Sequence, residues 1–136
     1  MRNFFCVAFA VIAMYISAFS LCFNVKSGVY TFYSELSSSS AFTVCEYPTA
    51  LKTKMTGKYK AETVCVCSDE VSVECLLTDY KARFVKKETY PSGESRYYYS
   101  PKIPFYQIID GFMVNIQVAV TGNKTYIGTP VIYGGY

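Results

Sequence analysis

A chain of 136 residues is one domain's length, and an apolar start of the removable kind would leave a folded body of about 110 residues. Lys and Arg number 13 against 10 Asp and Glu, and without Arg2 and Lys26, which flank that start, the count is 11 against 10, so net charge selects no nucleic-acid, membrane or acidic partner. Hydrophobic residues at 51% exclude a disordered polar tract, and the complete lack of histidine excludes Ser-His-Asp and Cys-His nucleophiles, histidine-held metals and histidine acid–base pairs.

Met1-Arg2-Asn3 is a short cationic start, and Phe4 to Phe23 follows without a charge. That pattern predicts a secretory signal over 1–23, cleaved between about Ser17 and Asn24, with Ser17, Ala18 and Ser20 as small residues near the cut. A retained anchor helix is the alternative, since about 20 apolar residues can span a bilayer. Cys22 follows Leu21 rather than a small residue, which is a poor fit to a lipoprotein site. Residues 24–136 are then a single secreted β-rich domain, extracellular or delivered into a host, monomeric and without stable membrane association after cleavage.

Aromatic and β-branched residues from Val25 to Tyr33 predict a first strand, and the serine run Ser37 to Ser40 a loop, with a helix over Glu35 to Tyr47 as the competing assignment. Pro48 ahead of TALKTKM opens a further helical turn. From Thr63 to Leu77, Cys65, Cys67, Val71, Val73, Cys75 and Leu77 alternate with Ser72 and Glu74, which predicts a hairpin turning near Ser68-Asp69-Glu70.

Cys6 lies in the signal and Cys22 near its end, so the domain keeps Cys45, Cys65, Cys67 and Cys75. In an exported domain four cysteines predict two disulfides, whereas a zinc site is disfavoured by the oxidising compartment and by the Cys45 to Cys65 spacing. Three of the four share the hairpin's face, so one bond would fall inside it. Cys65–Cys67 is disfavoured by strand geometry, which leaves Cys65–Cys75 or Cys67–Cys75; a turn closing on Ser68 and Ser72 favours Cys65–Cys75, with Cys67 left for Cys45.

Tyr80, Ala82 and Phe84 alternate with Lys81, Arg83 and Val85 in a half-buried strand with a basic outer face. Pro91-Ser92-Gly93-Glu94 is a turn, and Arg96 to Tyr99 pairs back until Pro101 and Pro104. Ile103, Phe105, Ile108 and Ile109 lead to the clearest strand, where Val114, Ile116, Val118 and Val120 alternate with Asn115, Gln117 and Ala119. Gly122-Asn123 supplies a two-residue turn that pairs Val118 with Ile127, and Asn123-Lys124-Thr125 at its tip fits the N-glycosylation pattern. About five to seven strands and at most one or two short helices make a small, disulfide-bonded, mainly antiparallel β domain.

Tyrosines 97 to 99, 126, 133 and 136 interleave with Lys52, Lys54, Lys58, Lys60, Lys81, Arg83, Lys86 and Lys87, a composition that would suit single-stranded RNA but that by itself favours an ordinary sheet with wet hydroxyls and lysine-protected edges. Alternation puts Lys81, Arg83 and Lys87 on one strand face, joined by Lys86 if the strand ends early. These four are the candidate binding surface for a host protein or RNA. Asp69, Glu70 and Glu74 are turn and face carboxylates rather than a catalytic pair, no phosphate-cradling glycine loop is present, and no catalytic residue, cofactor or metal is expected.

From Tyr90 the chain reads YPSGESRYYY, then PFYQIIDG, then VNIQVAVTGNKTYIGTPVIYGG. This order resembles the C-terminal half of small fungal secreted guanyl-specific ribonucleases, and more closely the ribonuclease-like effectors of powdery mildew fungi, which keep the fold without catalytic residues. The chain departs from that pattern at Val29-Tyr30-Thr31-Phe32, which lacks the family's early cysteine, and in Cys65 and Cys67, which are foreign to it. The resemblance implies an α+β ribonuclease-like effector with a helix packed on a sheet, inactive because the catalytic histidines have no counterpart. An immunoglobulin-like sandwich that engages host surface proteins is the alternative, favoured by two facing sheets instead of a helix on one.

Overall fold

The computed structural model describes residues 21, 25–37, 39, 41–47, 49–67 and 72–133. The element order is β1 (Val29–Tyr33), β2 (Phe42–Glu46), α1 (Thr49–Thr56), β3 (Ala61–Cys67), α2 (Val73–Asp79), β4 (Arg83–Tyr90), β5 (Gly93–Tyr99), β6 (Gln107–Ile109), β7 (Phe112–Val114), β8 (Ile116–Thr121) and β9 (Lys124–Thr129). Seven strands form one sheet in the order β2-β1-β3-β9-β8-β5-β4, every neighbouring pair antiparallel, and β6 and β7 form a separate hairpin. The mainly antiparallel class with two short helices is therefore what the chain builds. Among the described residues the two sheets are this seven-stranded one and the two-stranded β6–β7.

Period-two alternation sorts the side chains onto two faces. One face carries Tyr30, Phe32, Val64, Ile127, Val118, Ile116 and Tyr98, all buried, which pack against Ala50 of α1, Leu76 of α2 and Tyr80. The opposite face carries Tyr97, covered by Val114, Val131, Ile109 and Tyr133 from the hairpin and the C-terminal segment. The Gly122-Asn123 turn forms as expected, with Val118 opposite Ile127. Gly122 adopts φ 61°, the left-handed conformation this turn needs at its first central residue. Gly28 is held by space as well as by its φ of 87°, because a Cβ there would lie 2.4 Å from the Cys65 carbonyl oxygen.

Two expectations are corrected. The stretch considered for a helix over 35–47 contributes β2 instead, whose Phe42 pairs with Tyr33 and whose Cys45 pairs with Tyr30. Aromatic and β-branched residues in alternation, beside the open edge of β1, outweigh a weak helical pattern. The hairpin over 63–77 forms only its first arm, β3; the expected turn at 68–71 lies outside the described residues, and the second arm is α2. Ser72 caps that helix by accepting from the Cys75 amide at 3.4 Å. Val73, Leu76, Leu77 and Tyr80 stand at i, i+3, i+4 and i+7, the spacing of one helix face, and all four pack on the core.

The expectation of a bond inside 63–77 rests on the full hairpin, of which only the first arm forms. Cys65 and Cys67 lie opposite Tyr126 and Lys124 on the face away from the helices, whereas Cys45 packs on the helix-side core and Cys75 is exposed on α2. Cys45–Cys67 and Cys65–Cys75 would each have to cross the sheet, and none of the four is bonded to another. The signal assigned to 1–23 lies outside the described residues except for Leu21, which is fully buried in the core.

Asn115, fully buried between β7 and β8, makes the most connected polar contact. Its Oδ1 accepts from the Ser100 amide at 2.7 Å, and its Nδ2 donates to the carbonyls of Ser100 at 2.8 Å and Ile103 at 3.3 Å. The Ser100 hydroxyl in turn donates to the Tyr80 carbonyl. Asn115→Ala strands these partners in a dry interior and should cost about 3 kcal/mol. Thermal unfolding checks it, with a fall of roughly 10 °C or more expected for a domain of this size.

Candidate binding surface

The four cations expected on one surface are divided by a bulge. In the β4–β5 ladder Phe84 faces Tyr98 but Lys86 faces Tyr97, so Val85 is an extra residue and the alternation reverses after it. Arg83 and Lys86 therefore share the face of Tyr99 and Tyr97, with Arg83 over the Tyr99 ring at 5.7 Å and Lys86 over the Tyr97 ring at 5.3 Å. Lys87 faces Arg96 on the other side of the sheet. Lys81 precedes the strand, held at φ 52° in the turn that closes α2, where its amide donates to the Thr78 carbonyl at 3.0 Å.

Two of the four are engaged by carboxylates. Lys86 is paired with Asp110 and lies 2.8 Å from Glu88, while Lys87 and Arg96 flank Glu94 at 3.8 and 2.9 Å. Hydrogen bonds to Asp110 and then Glu88 raise the Lys86 ammonium above its ordinary value. The reciprocal contact with Lys86, aided by the Tyr90 hydroxyl at 2.6 Å, holds the Glu88 carboxyl below its own. Glu88 is thus a fixed anion rather than a group poised to carry protons near neutral pH. Among the described residues no cluster of three or more Cys, Asp or Glu is placed to hold a metal.

Asp110 reaches Lys86 because the β6–β7 hairpin turns at Asp110-Gly111, with φ values of 50° and 83°. An Asp-Gly pair between apolar residues is a strong hairpin signal that could have found this element, although in the sequence the residues before Gly111 read only as leading into the next strand. The hairpin exposes Ile108, Phe112 and Met113 beside Phe84, which is 61% exposed and meets Tyr98 edge-on at 5.9 Å. Phe84 stands between two open grooves. One, of about 550 Å³, is lined by Arg83, Tyr99, Phe112 and Met113; the other, of about 570 Å³, by Lys81, Leu77, Thr78 and Tyr98. The structure thus brings Lys81 and Arg83 to the two sides of an exposed aromatic residue, and turns Lys86 and Lys87 to structural ion pairs. The apolar members of this surface were not singled out from sequence, because Phe84 follows a pattern that predicts burial.

No family model, no curated protein and no solved structure matches this chain.

The ion-pair cluster makes part of the stability pH-dependent with a definite sign. A carboxyl held below its ordinary value of 4.5 contributes stability that is present above that pH and is lost as pH falls through the lower folded value. Glu88→Gln should therefore flatten the acid limb of the stability profile below about pH 4.5. Chemical denaturation between about pH 2.5 and 6 checks it, and a profile parallel to that of the unchanged protein would contradict the assignment.

Proposed function

We propose that this is an exported, non-catalytic protein that acts by binding a protein of the organism receiving it, through the surface centred on Phe84. The carrying observation is the exposure of Phe84, Phe112 and Met113 around Arg83 and Tyr99. Aromatic residues, Met and Arg are the residue types enriched where proteins meet, and an exposed apolar cluster with a polar rim marks such a site. RNA is the weaker reading of the same surface. Lys86 and Lys87 already have carboxylate partners, so Lys81 and Arg83 carry most of the phosphate-pairing capacity there.

The ribonuclease-like reading draws support from helices packed on one face of an antiparallel sheet, which is the arrangement the resemblance implies. Binding rather than turnover is favoured by the sequence's lack of histidine and by the restraint on Glu88.

Phe84→Ala combined with Phe112→Ala should weaken a protein partner by about 2 kcal/mol or more, whereas Lys81→Ala with Arg83→Ala should matter less. The reverse order, with a binding constant that falls steeply as salt rises, would identify RNA as the ligand. Turnover of RNA by the pure protein would refute the non-catalytic reading.

Asn123 is exposed at the β8–β9 tip, where a glycan would disturb no packing, and export through a eukaryotic secretory route would present its motif for modification. The expected outcome is an endoglycosidase-sensitive mass that Asn123→Gln abolishes.

A further inference from the structure

The two grooves beside Phe84 lie on opposite faces of one sheet edge. β4 ends the strand order of the seven-stranded sheet, and no strand pairs with its outer side among the described residues. On the helix side the groove is formed by Leu77, Thr78, Lys81 and Tyr98, together with Glu74. On the other side it is formed by Arg83, Tyr99, Gly111, Phe112 and Met113. Phe84 lines both. The faces are distinct because Tyr98 belongs to the core under the helices, whereas the adjacent Tyr99 turns away from it and carries the Arg83 guanidinium over its ring.

A helix presents its apolar side chains along one stripe and would fill only one of these grooves. An extended segment sends successive side chains to opposite faces. Laid beside β4, it would continue the sheet by one strand, about 4.8 Å further out, and reach both. The chain also limits where such a segment can lie. At the near end the Lys81 and Ala82 amides are already taken by the Thr78 and Leu77 carbonyls, at 3.0 and 2.9 Å. At the far end the bulge at Val85 breaks the register, and Lys86, Lys87 and Glu88 place charge along the edge. What remains is Arg83 to Val85, where backbone groups point alternately towards β5 and outwards. So short a ladder supplies few main-chain bonds, and side chains in the grooves must supply most of the affinity.

Charge selects what enters. Lys81 and Arg83 are exposed, and neither is ion-paired among the described residues. The helix-side groove sets Glu74 against Lys81, whereas the other groove holds Arg83 and no carboxylate. A guanidinium stacked on a ring keeps its N–H fork for a planar anion.

We propose that the β4 edge at Arg83 to Val85 captures an extended segment of the partner protein as an added strand, with apolar side chains entering both grooves and a carboxylate meeting Arg83. This rests on the reading of the Phe84 surface as a protein-binding site and narrows the ligand to a linear, acidic and apolar peptide.

The probe is a phage-displayed library of random linear peptides selected on the protein. Enriched peptides should combine apolar residues with an Asp or Glu, and selection on the Arg83→Ala protein should lose the acidic preference. Double-mutant cycles with the tightest synthetic peptide should couple one peptide residue to Phe112→Ala and the next residue to Lys81→Ala, each by about threefold or more. Methylating the peptide nitrogen that faces β4 should weaken binding about tenfold or more, and methylating either neighbouring nitrogen less than threefold. All the protein substitutions fall on exposed side chains, so folding is not at stake. Couplings spaced three or four residues apart, tolerance of methylation at every nitrogen, or no enriched peptide at all would overturn the added strand and leave the Phe84 reading standing. An acidic preference that survives Arg83→Ala would overturn the place given to the carboxylate. Self-association abolished by Phe84→Ala would assign the edge to a second copy of this chain and overturn the proposal. Peptides held equally well by the protein carrying Phe84→Ala with Phe112→Ala would overturn the proposal and the Phe84 reading together.

Discussion

The buried carboxamide of Asn115 fixes the positions of three chain segments that meet beyond the ends of the regular ladders. Through Ser100 it sets where the chain leaves β5, through the Ser100 hydroxyl it reaches the carbonyl of Tyr80 just past α2, and its own place in the chain separates β7 from β8. Each segment delivers a different part of the candidate surface: Lys81 follows Tyr80, Tyr99 precedes Ser100, and Phe112 and Met113 precede Asn115. A side chain that can accept once and donate twice is needed here, because the backbone groups it meets lie beyond the ends of regular strands and have no ladder to satisfy them. The surface is therefore organised from beneath, by a residue that never meets solvent.

The bulge at Val85 adds a second constraint. By reversing the alternation it moves Lys86 onto Tyr97, next to Glu88 and within reach of Asp110, and so fastens the β6–β7 hairpin to the outermost strand. Phe84, just before the reversal, stays on the helix-side face of the outermost strand, where it shares an open groove with Leu77 and Thr78 of α2 and remains exposed. The C-terminal turn of α2 needs Lys81 at positive φ to direct the chain back into the sheet.

Much of this was legible in the sequence where one periodicity stood alone. The strand expected over Val25 to Tyr33 forms as β1 from Val29. The alternation from Val114 to Val120 forms strands too, but it is broken at Asn115, with Val114 ending β7 of the small sheet and β8 starting at Ile116; the Gly122 turn then joins β8 to β9. The second arm of the 63–77 hairpin was not legible, because Val73, Leu77 and their neighbours satisfy both periods at once. Alternation reads 71, 73, 75, 77, whereas the helical face reads 73, 76, 77, 80. The capping serine at 72 and the core's demand for Leu76 and Tyr80 settle the ambiguity in favour of the helix. The grouping of Lys81, Arg83, Lys86 and Lys87 failed for a different reason: one inserted residue inverts every assignment downstream of it, and a bulge leaves no mark in a hydrophobicity pattern.

The two edges of the sheet meet the same hazard in opposite ways. Unpaired backbone groups along an edge invite a strand from another molecule. At β4 the bulge distorts the edge, and Lys86, Lys87 and Glu88 place charge along it, so the apolar Phe84 is confined to one end. At β2 the exposed residues are Phe42, 61% exposed, and Val44, 54% exposed, on one face of a regular strand, with Glu46 as the strand's only charged residue. The Tyr33 ring lies tilted against Phe42 at 6.0 Å, and the Tyr59 hydroxyl reaches Thr43 at 3.2 Å, contacts that secure β2 to its own sheet, while no strand pairs with its outer edge among the described residues. Specific recognition needs an apolar cluster with fixed neighbours and polar surroundings, and only the β4 end of the sheet supplies both. That asymmetry, more than the count of basic residues, is what favours the Phe84 side for the proposed binding role.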